Sequence, residues 1–193
     1  NPKNLILMHQ THSKNVKIIN KKNKKLKIFN SDAIITNLRG LALGVVTADC
    51  VPIILYDFKN QTIGCIHAGW KGASKGIIEN TITKFRKFSK VSKIFASIGP
   101  CIGRKSYEVN KDFYDNFIHK SKKNTIYFSQ KNANKKLFNL RKYVADKLIK
   151  LDVKVDHVNY DTYKEKNYFF SYRRSQKLVE NDYGRCISVI SLI

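Results

Sequence analysis

The chain has 193 residues, 42% of them hydrophobic and 11% aromatic, with a formal net charge of +23. It is long enough to bury a core and too apolar for disorder, and it has no apolar run near the ~20 residues that cross a bilayer. Its charge raises a nucleic-acid reading, but 30 of the 37 basic residues are Lys. These are scattered, apart from Lys21, Lys22, Lys24, Lys25 and Lys27. That run reads as a solvated loop, and the charge as a general pull on anionic substrates, so nucleic acid is not the expected partner. Four cysteines without a C-x-x-C pair, and no secretory signal, imply reduced thiols and a cytoplasmic protein.

In chain order, LILMHQTH starts a strand, the lysine-rich loop follows, and SDAIITN is a short strand or turn. LALGVVTADCVPIILYDF is too long for one regular strand and contains Pro52, so a break or bulge is expected near Cys50. QTIGCIHAGW returns after the polar turn Asp57–Asn60 as the second strand of a hairpin. Centring that turn on Lys59 and Asn60 sets position 57 opposite 62 and 52 opposite 67. Cys50 and His67 are then diagonal neighbours on one face. GWKGASKGIIENTITKFRKF reads as a glycine turn and one helix to about Phe88, with Ile77, Ile78, Ile82 and Phe85 on its apolar face. KIFASIG is a buried strand and GPCIGRKSYEV a loop. NKDFYDNFIHK is a helix capped by Asn110, and LFNLRKYVADKLIKL an amphipathic helix. VDHVNY, NYFFSYRR and RCISVISLI read as strands. The expected fold is α/β or α+β: a layered sandwich in which helices cover a mixed β-sheet.

The most informative residues are His12, Cys50 and His67, in QTH, TADCVP and HAGWKG. Two imidazoles and a thiolate are a zinc-type donor set, and three protein ligands leave a fourth position for chemistry. No local zinc-finger spacing links them, so the fold must bring them together. Arg173 and Arg174 alternate along the expected strand, placing one of them to clamp phosphate through bidentate hydrogen bonds. Gly69 and Gly72 permit close backbone approach and positive φ at a helix start suited to an anion. Trp70 packs or lines the site. Asp49 is a substrate-site candidate that faces away from Cys50 in a regular strand and turns inward only at a bulge. Tyr107 is a substrate-site candidate, and Glu108 either an acid–base group or a cap. His9, three residues before His12, points away from it along a strand and reads as structural or surface. His119 and His157 read as non-ligands.

Taken in order, QTH, SDAIITN, GLALGVVTADCVPI, HAGWKG, SIGPCIG with SYEV, and FFSYRR with GRCISVISL resemble the YfiH/YlmD family, also labelled polyphenol oxidase or laccase-domain proteins. The resemblance runs from about Leu5 to Ile193, and TADC-x-P with HAGW-[RK]-G is its most specific part. It implies a layered α/β sandwich with zinc held by His12, Cys50 and His67. It also implies phosphate-dependent cleavage of adenosine, inosine, guanosine or methylthioadenosine, with hydrolytic deamination of adenosine. The implied partners are purine nucleosides and phosphate, bound by a monomer or homodimer. Two departures stand out. Nothing here matches the Arg-x-Gly-Gly-x-Ser type motif that family members carry near the N-terminus, so one catalytic domain over 1–193 without that segment is expected. Where the family often has Cys-Thr, this chain has Asp161-Thr162. Two other function classes are a copper-dependent polyphenol oxidase and a basic nucleic-acid or protein-binding module. Five histidines are few for the several coppers of a multicopper oxidase.

Overall fold

A computed structural model describes residues 4–90 and 93–193. The first half runs β1 (Leu5–His9), β2 (Val16–Ile19), β3 (Ile28–Asn30), β4 (Ala33–Thr36), β5 (Ala42–Thr47), β6 (Val51–Asp57), β7 (Thr62–Ala68), α1 (Trp70–Lys75) and α2 (Ile77–Ser89). The second half runs β8 (Ile94–Ile98), β9 (Glu108–Asn110), α3 (Lys111–Lys120), β10 (Phe128–Gln130), β11 (Lys135–Phe138), α4 (Leu140–Lys150), β12 (Val153–His157), α5 (Tyr172–Leu178) and β13 (Cys186–Ser191). Among the described residues the strands form a six-stranded sheet β12-β8-β6-β7-β4-β2, a four-stranded sheet β13-β5-β1-β3 and a small sheet β10-β11-β9. None of the described helices is long and apolar enough to cross a membrane.

Strand alternation divides the interior into two cores. Val51, Ile53 and Leu55 of β6 and Ile66 and Ala68 of β7 pack with α2 and α4 residues such as Ile78, Phe85, Val144 and Leu148. The opposite face carries Ile54 and Tyr56 of β6 and Ile63 and Cys65 of β7, which meet Ile6, Met8, Leu43 and Val45 of the four-stranded sheet. The result is sheet on sheet on helices, the layered α+β arrangement expected. His67 continues the Ile63–Cys65 row, so it lies where the gap between the two sheets opens.

The hairpin register is the expected one: Asp57 faces Thr62 and Pro52 faces His67. The break at Cys50 is larger than a bulge, because β5 and β6 belong to different sheets and Ala48–Cys50 is the crossing between them. The anticipated single helix is two, since Gly76 at φ 94° breaks the run between α1 and α2. Ile77, Ile78, Ile82 and Phe85 are all buried, as their spacing predicts. Asn110 caps α3 through Phe113 N–H at 2.9 Å. The amphipathic helix starts later than expected: Lys135–Phe138 pair as a strand and Asn139 caps α4. NYFFSYRR is not a strand. Ser171 Oγ accepts the Arg174 N–H at 3.2 Å and starts α5, so a local cap overrides the β propensity of the aromatic run. Lys21, Lys22, Lys24 and Lys25 lie on an exposed turn.

Candidate metal centre

Three separate segments converge where the sheets part. Gln10 extends β1 by exchanging two hydrogen bonds with Val46, donating to its carbonyl at 2.7 Å and accepting its N–H at 3.0 Å. The chain then turns sharply, with His12 in the left-handed region at φ 57°. Asp32 holds this turn by accepting the N–H groups of Thr11 (3.3 Å), His12 (3.0 Å) and Ser13 (2.7 Å) and the Ser13 hydroxyl (2.6 Å). The same carboxylate accepts from His67 Nδ1 at 2.8 Å. Since an ionised carboxylate only accepts, His67 carries its proton on Nδ1 and leaves Nε2 free to ligate.

His12, Cys50 and His67 each offer a donor atom, all within 4.8 Å of one another, the one such group among the described residues. The His12 and His67 rings stand edge to face with centroids 4.7 Å apart. In a tetrahedral site with metal–sulfur and metal–nitrogen lengths of about 2.3 and 2.05 Å, sulfur and nitrogen ligands stand about 3.6 Å apart. Cys50 Sγ and His12 Nε2 are separated by 3.6 Å. Gly69 lies against this pair: a Cβ there would sit 2.5 Å from His12 Cδ2 and 2.8 Å from Cys50 Sγ. Donor chemistry, separation and the cradle beside Gly69 all fit a metal.

The electrostatics fit as well. Burial and the neighbouring His67 lower the His12 pKa, with Lys71 and Lys75 adding to the effect against Asp32. His12 is thereby kept neutral and able to ligate. Burial, then the charge of Asp49, pushes the Cys50 thiol up to about 12, so ligation by the thiolate requires a cation to displace its proton. Burial also pushes the Asp32 carboxyl up, but the hydrogen bonds from His67 and Ser13 outweigh it and hold the group at about 2.

The trio forms part of the wall of a cavity of about 710 Å³, which Asp49, Trp70, Tyr107 and Arg173 also line. Arg173 lies over the Tyr107 ring at 5.2 Å and donates to the Glu108 carbonyl at 2.6 Å. Trp70 packs edge to face on Phe113 at 4.7 Å while lining the cavity. Burial raises the Tyr107 phenol pKa, keeping it protonated.

Three candidates take other places. Arg174 is turned into the protein, donating to the carbonyls of Thr162 (2.8 Å), Tyr163 (2.9 Å) and Phe169 (2.5 Å). On a helix, unlike a strand, adjacent arginines diverge by about 100°, and only Arg173 reaches the cavity. Glu108 is bound by Lys131 and Lys135 and lines an adjoining cleft rather than the cavity of the trio. Gly69 does not line the cavity; its φ of −68° is ordinary, and its lack of a side chain makes room for the ligand atoms.

Other residues were missed. Asp32 has a visible signal, a carboxylate at the head of the apolar run SDAIITN, but its partners are 19 to 35 residues away. Lys71, Tyr172, Tyr183 and Arg185 line the cavity without any local pattern marking them, and His9, read from its spacing as structural or surface, lines it too. His9 thus belongs to the cavity wall rather than to structure alone.

Fold and site define a layered α+β protein with a His–Cys–His group, suited to a metal, in the wall of an open cavity. The family described as multi-copper polyphenol oxidoreductase laccase matches residues 1–193. A purine nucleoside phosphorylase of Rickettsia conorii is 34% identical over 178 residues, covering 91% of this chain and 73% of that protein. Purine nucleoside phosphorylase YfiH of Shigella flexneri is 30% identical over 193 residues, covering 100% of this chain and 75% of its own length. The crystal structure of Bacillus licheniformis hypothetical protein YfiH superposes with a TM-score of 0.88 at 23% identity, covering 100% of this chain and 76% of that one. The chain belongs to the YfiH/YlmD family of laccase-domain proteins.

Proposed function

We propose that the protein is a zinc-dependent purine nucleoside phosphorylase that also deaminates adenosine. The observation that carries this reading is the single cavity shared by His12, Cys50, His67 and Arg173. It joins a metal-type donor set to a cation suited to phosphate. Zinc held by His12, Cys50 and His67 would supply Lewis-acid polarisation of an oxygen at its open position. The remaining roles fall to the chain itself.

Arg173 is fixed at one guanidinium nitrogen by the Glu108 carbonyl and stacked on Tyr107, leaving its other N–H groups for phosphate. Lys71 and Arg185 add positive charge to the same wall. Phosphate held there attacks the anomeric carbon of the ribose as the purine departs. Trp70 and Tyr107 supply flat apolar surface for the nucleoside, and the protonated Tyr107 hydroxyl can donate a hydrogen bond. Asp32 keeps His67 in the ligating tautomer throughout. Adenosine, inosine, guanosine and methylthioadenosine are the proposed substrates, with the cytoplasm as the site of action.

The test is to load the protein with zinc, incubate it with inosine or adenosine with and without phosphate, and resolve the products. Phosphate-dependent release of free base supports the reading, and its absence from protein holding one zinc per chain refutes it. The family's description favours a second reading, a copper-dependent oxidase acting on phenols. One three-donor group among the described residues argues against a site for several coppers. Copper in the purified protein, with oxidation of a phenol, would reverse that preference.

A further inference from the structure

Asp49 was a candidate for contact with substrate, but its bonds describe another task. It is buried, sits next to Cys50, and holds a left-handed backbone at φ 81° in the crossing between β5 and β6. One carboxylate oxygen accepts the Thr162 hydroxyl at 2.7 Å. The other accepts the Ser171 hydroxyl at 2.9 Å and the Arg173 backbone N–H at 2.6 Å. Its own carbonyl accepts the Ile102 N–H at 3.0 Å. With its oxygens occupied by protein donors, Asp49 has little capacity for a substrate. No cation pairs with it among the described residues. Burying a carboxyl group among neutral side chains is costly unless several donors converge on it, as Thr162, Ser171 and Arg173 do here.

We propose that Asp49 is a positioning residue that couples the metal centre to the anion-binding arginine. Its carboxylate ties the start of α5 to the turn that presents Cys50. The Arg173 backbone is held at Asp49 while its guanidinium is held at the Glu108 carbonyl and the Tyr107 ring. Pinned at both ends, the guanidinium keeps a set distance from the His–Cys–His group. Thr162 and Ser171 are the remaining tethers, bringing residues more than 110 positions away onto one carboxylate. The proposal rests on the reading of Arg173 as a phosphate ligand.

The experiment is a double-mutant cycle on the zinc-loaded protein, with inorganic phosphate titrated calorimetrically and phosphate KM and kcat measured with inosine. Asp49→Asn and Arg173→Ala should each weaken phosphate binding by about tenfold or more, the worth of one lost charge-assisted contact. Zinc content should stay at one per chain in both, and phosphate KM should rise more than kcat falls. The double variant should bind phosphate no more weakly than the worse single variant, because both changes remove one function. Thr162→Val, which keeps the charge and removes a single tether, should weaken phosphate by less and add nothing to Arg173→Ala.

Effects that multiply in the double variant overturn the proposal, as does an unchanged phosphate affinity in Asp49→Asn or no phosphate binding by the parent protein. A parent that binds phosphate and passes the cycle but does not cleave inosine refutes the phosphorylase reading and leaves the coupling in place. A parent that cleaves inosine while the cycle is additive refutes the coupling alone.

Discussion

Asp32→Asn tests the site at its organising point. The two carboxylate oxygens accept five hydrogen bonds between 2.6 and 3.3 Å, from the turn carrying His12 and from His67. An amide must turn its NH2 toward one of those two sets. Facing His67, it removes the Nδ1–H acceptor and favours the tautomer with a proton on Nε2, which blocks ligation. Facing Ser13, it opposes the Ser13 N–H with another donor. Either orientation loses about two charge-assisted bonds at roughly 1.5–3 kcal/mol each, and a destabilisation of about 3–6 kcal/mol is expected. That is a large part of a typical domain's stability of about 5–15 kcal/mol.

Acid titration gives an independent check. With a folded pKa of about 2 against an ordinary 3.8, Asp32 contributes about 2 kcal/mol of stability. Because the folded value is the lower one, that contribution is complete above pH 3.8 and is lost as pH falls through about 2. The assay is urea unfolding of metal-free protein from pH 7 down to 2, with zinc affinity measured by chelator competition. The stability gap between parent and variant should narrow toward the acid end, by up to about 2 kcal/mol once Asp32 is protonated, and zinc affinity should fall about 10–100-fold in the variant. A stability loss below about 0.5 kcal/mol together with unchanged zinc affinity would refute the role given to Asp32.

Gly69→Ala should keep the fold, since its backbone angles suit any residue, but the new Cβ would meet His12 and Cys50 within 2.8 Å. Circular dichroism should be unchanged and zinc affinity at least about tenfold lower; native zinc affinity would contradict the cradle. Metal-free protein should resist alkylation of Cys50 at pH 8, because burial pushes its thiol up to about 12. Zinc uptake should accordingly release a proton and strengthen as pH rises, which proton counting by calorimetry in two buffers checks. Arg174→Ala should lower thermal stability by about 1–3 kcal/mol through its orphaned carbonyls, with less change in phosphate KM than Arg173→Ala. The opposite ranking would return Arg174 to the phosphate site.

The sequence by itself determined the β6–β7 hairpin and its register. Period-two alternation and a polar turn are local features, and they placed Pro52 opposite His67 without further information; Cys50 itself lies just before β6, in the crossing from β5. The apolar face of α2 was legible for the same reason. What only the tertiary structure decided depends on partners far along the chain. His12 reaches the pair because Asp32 bends the backbone after β1, a bond between residues 20 positions apart. Which of Arg173 and Arg174 reaches the cavity was decided by the start of α5, where the Ser171 cap made a helix in place of the strand that the aromatic residues suggested. Asp49 changed from a substrate-site candidate to a junction because β5 and β6 cross between sheets at that point. Side-chain periodicity records which face is buried. It does not record which distant donor meets a buried carboxylate, and in this protein three elements of the site depend on that: the His12 turn, the His67 tautomer and the start of α5.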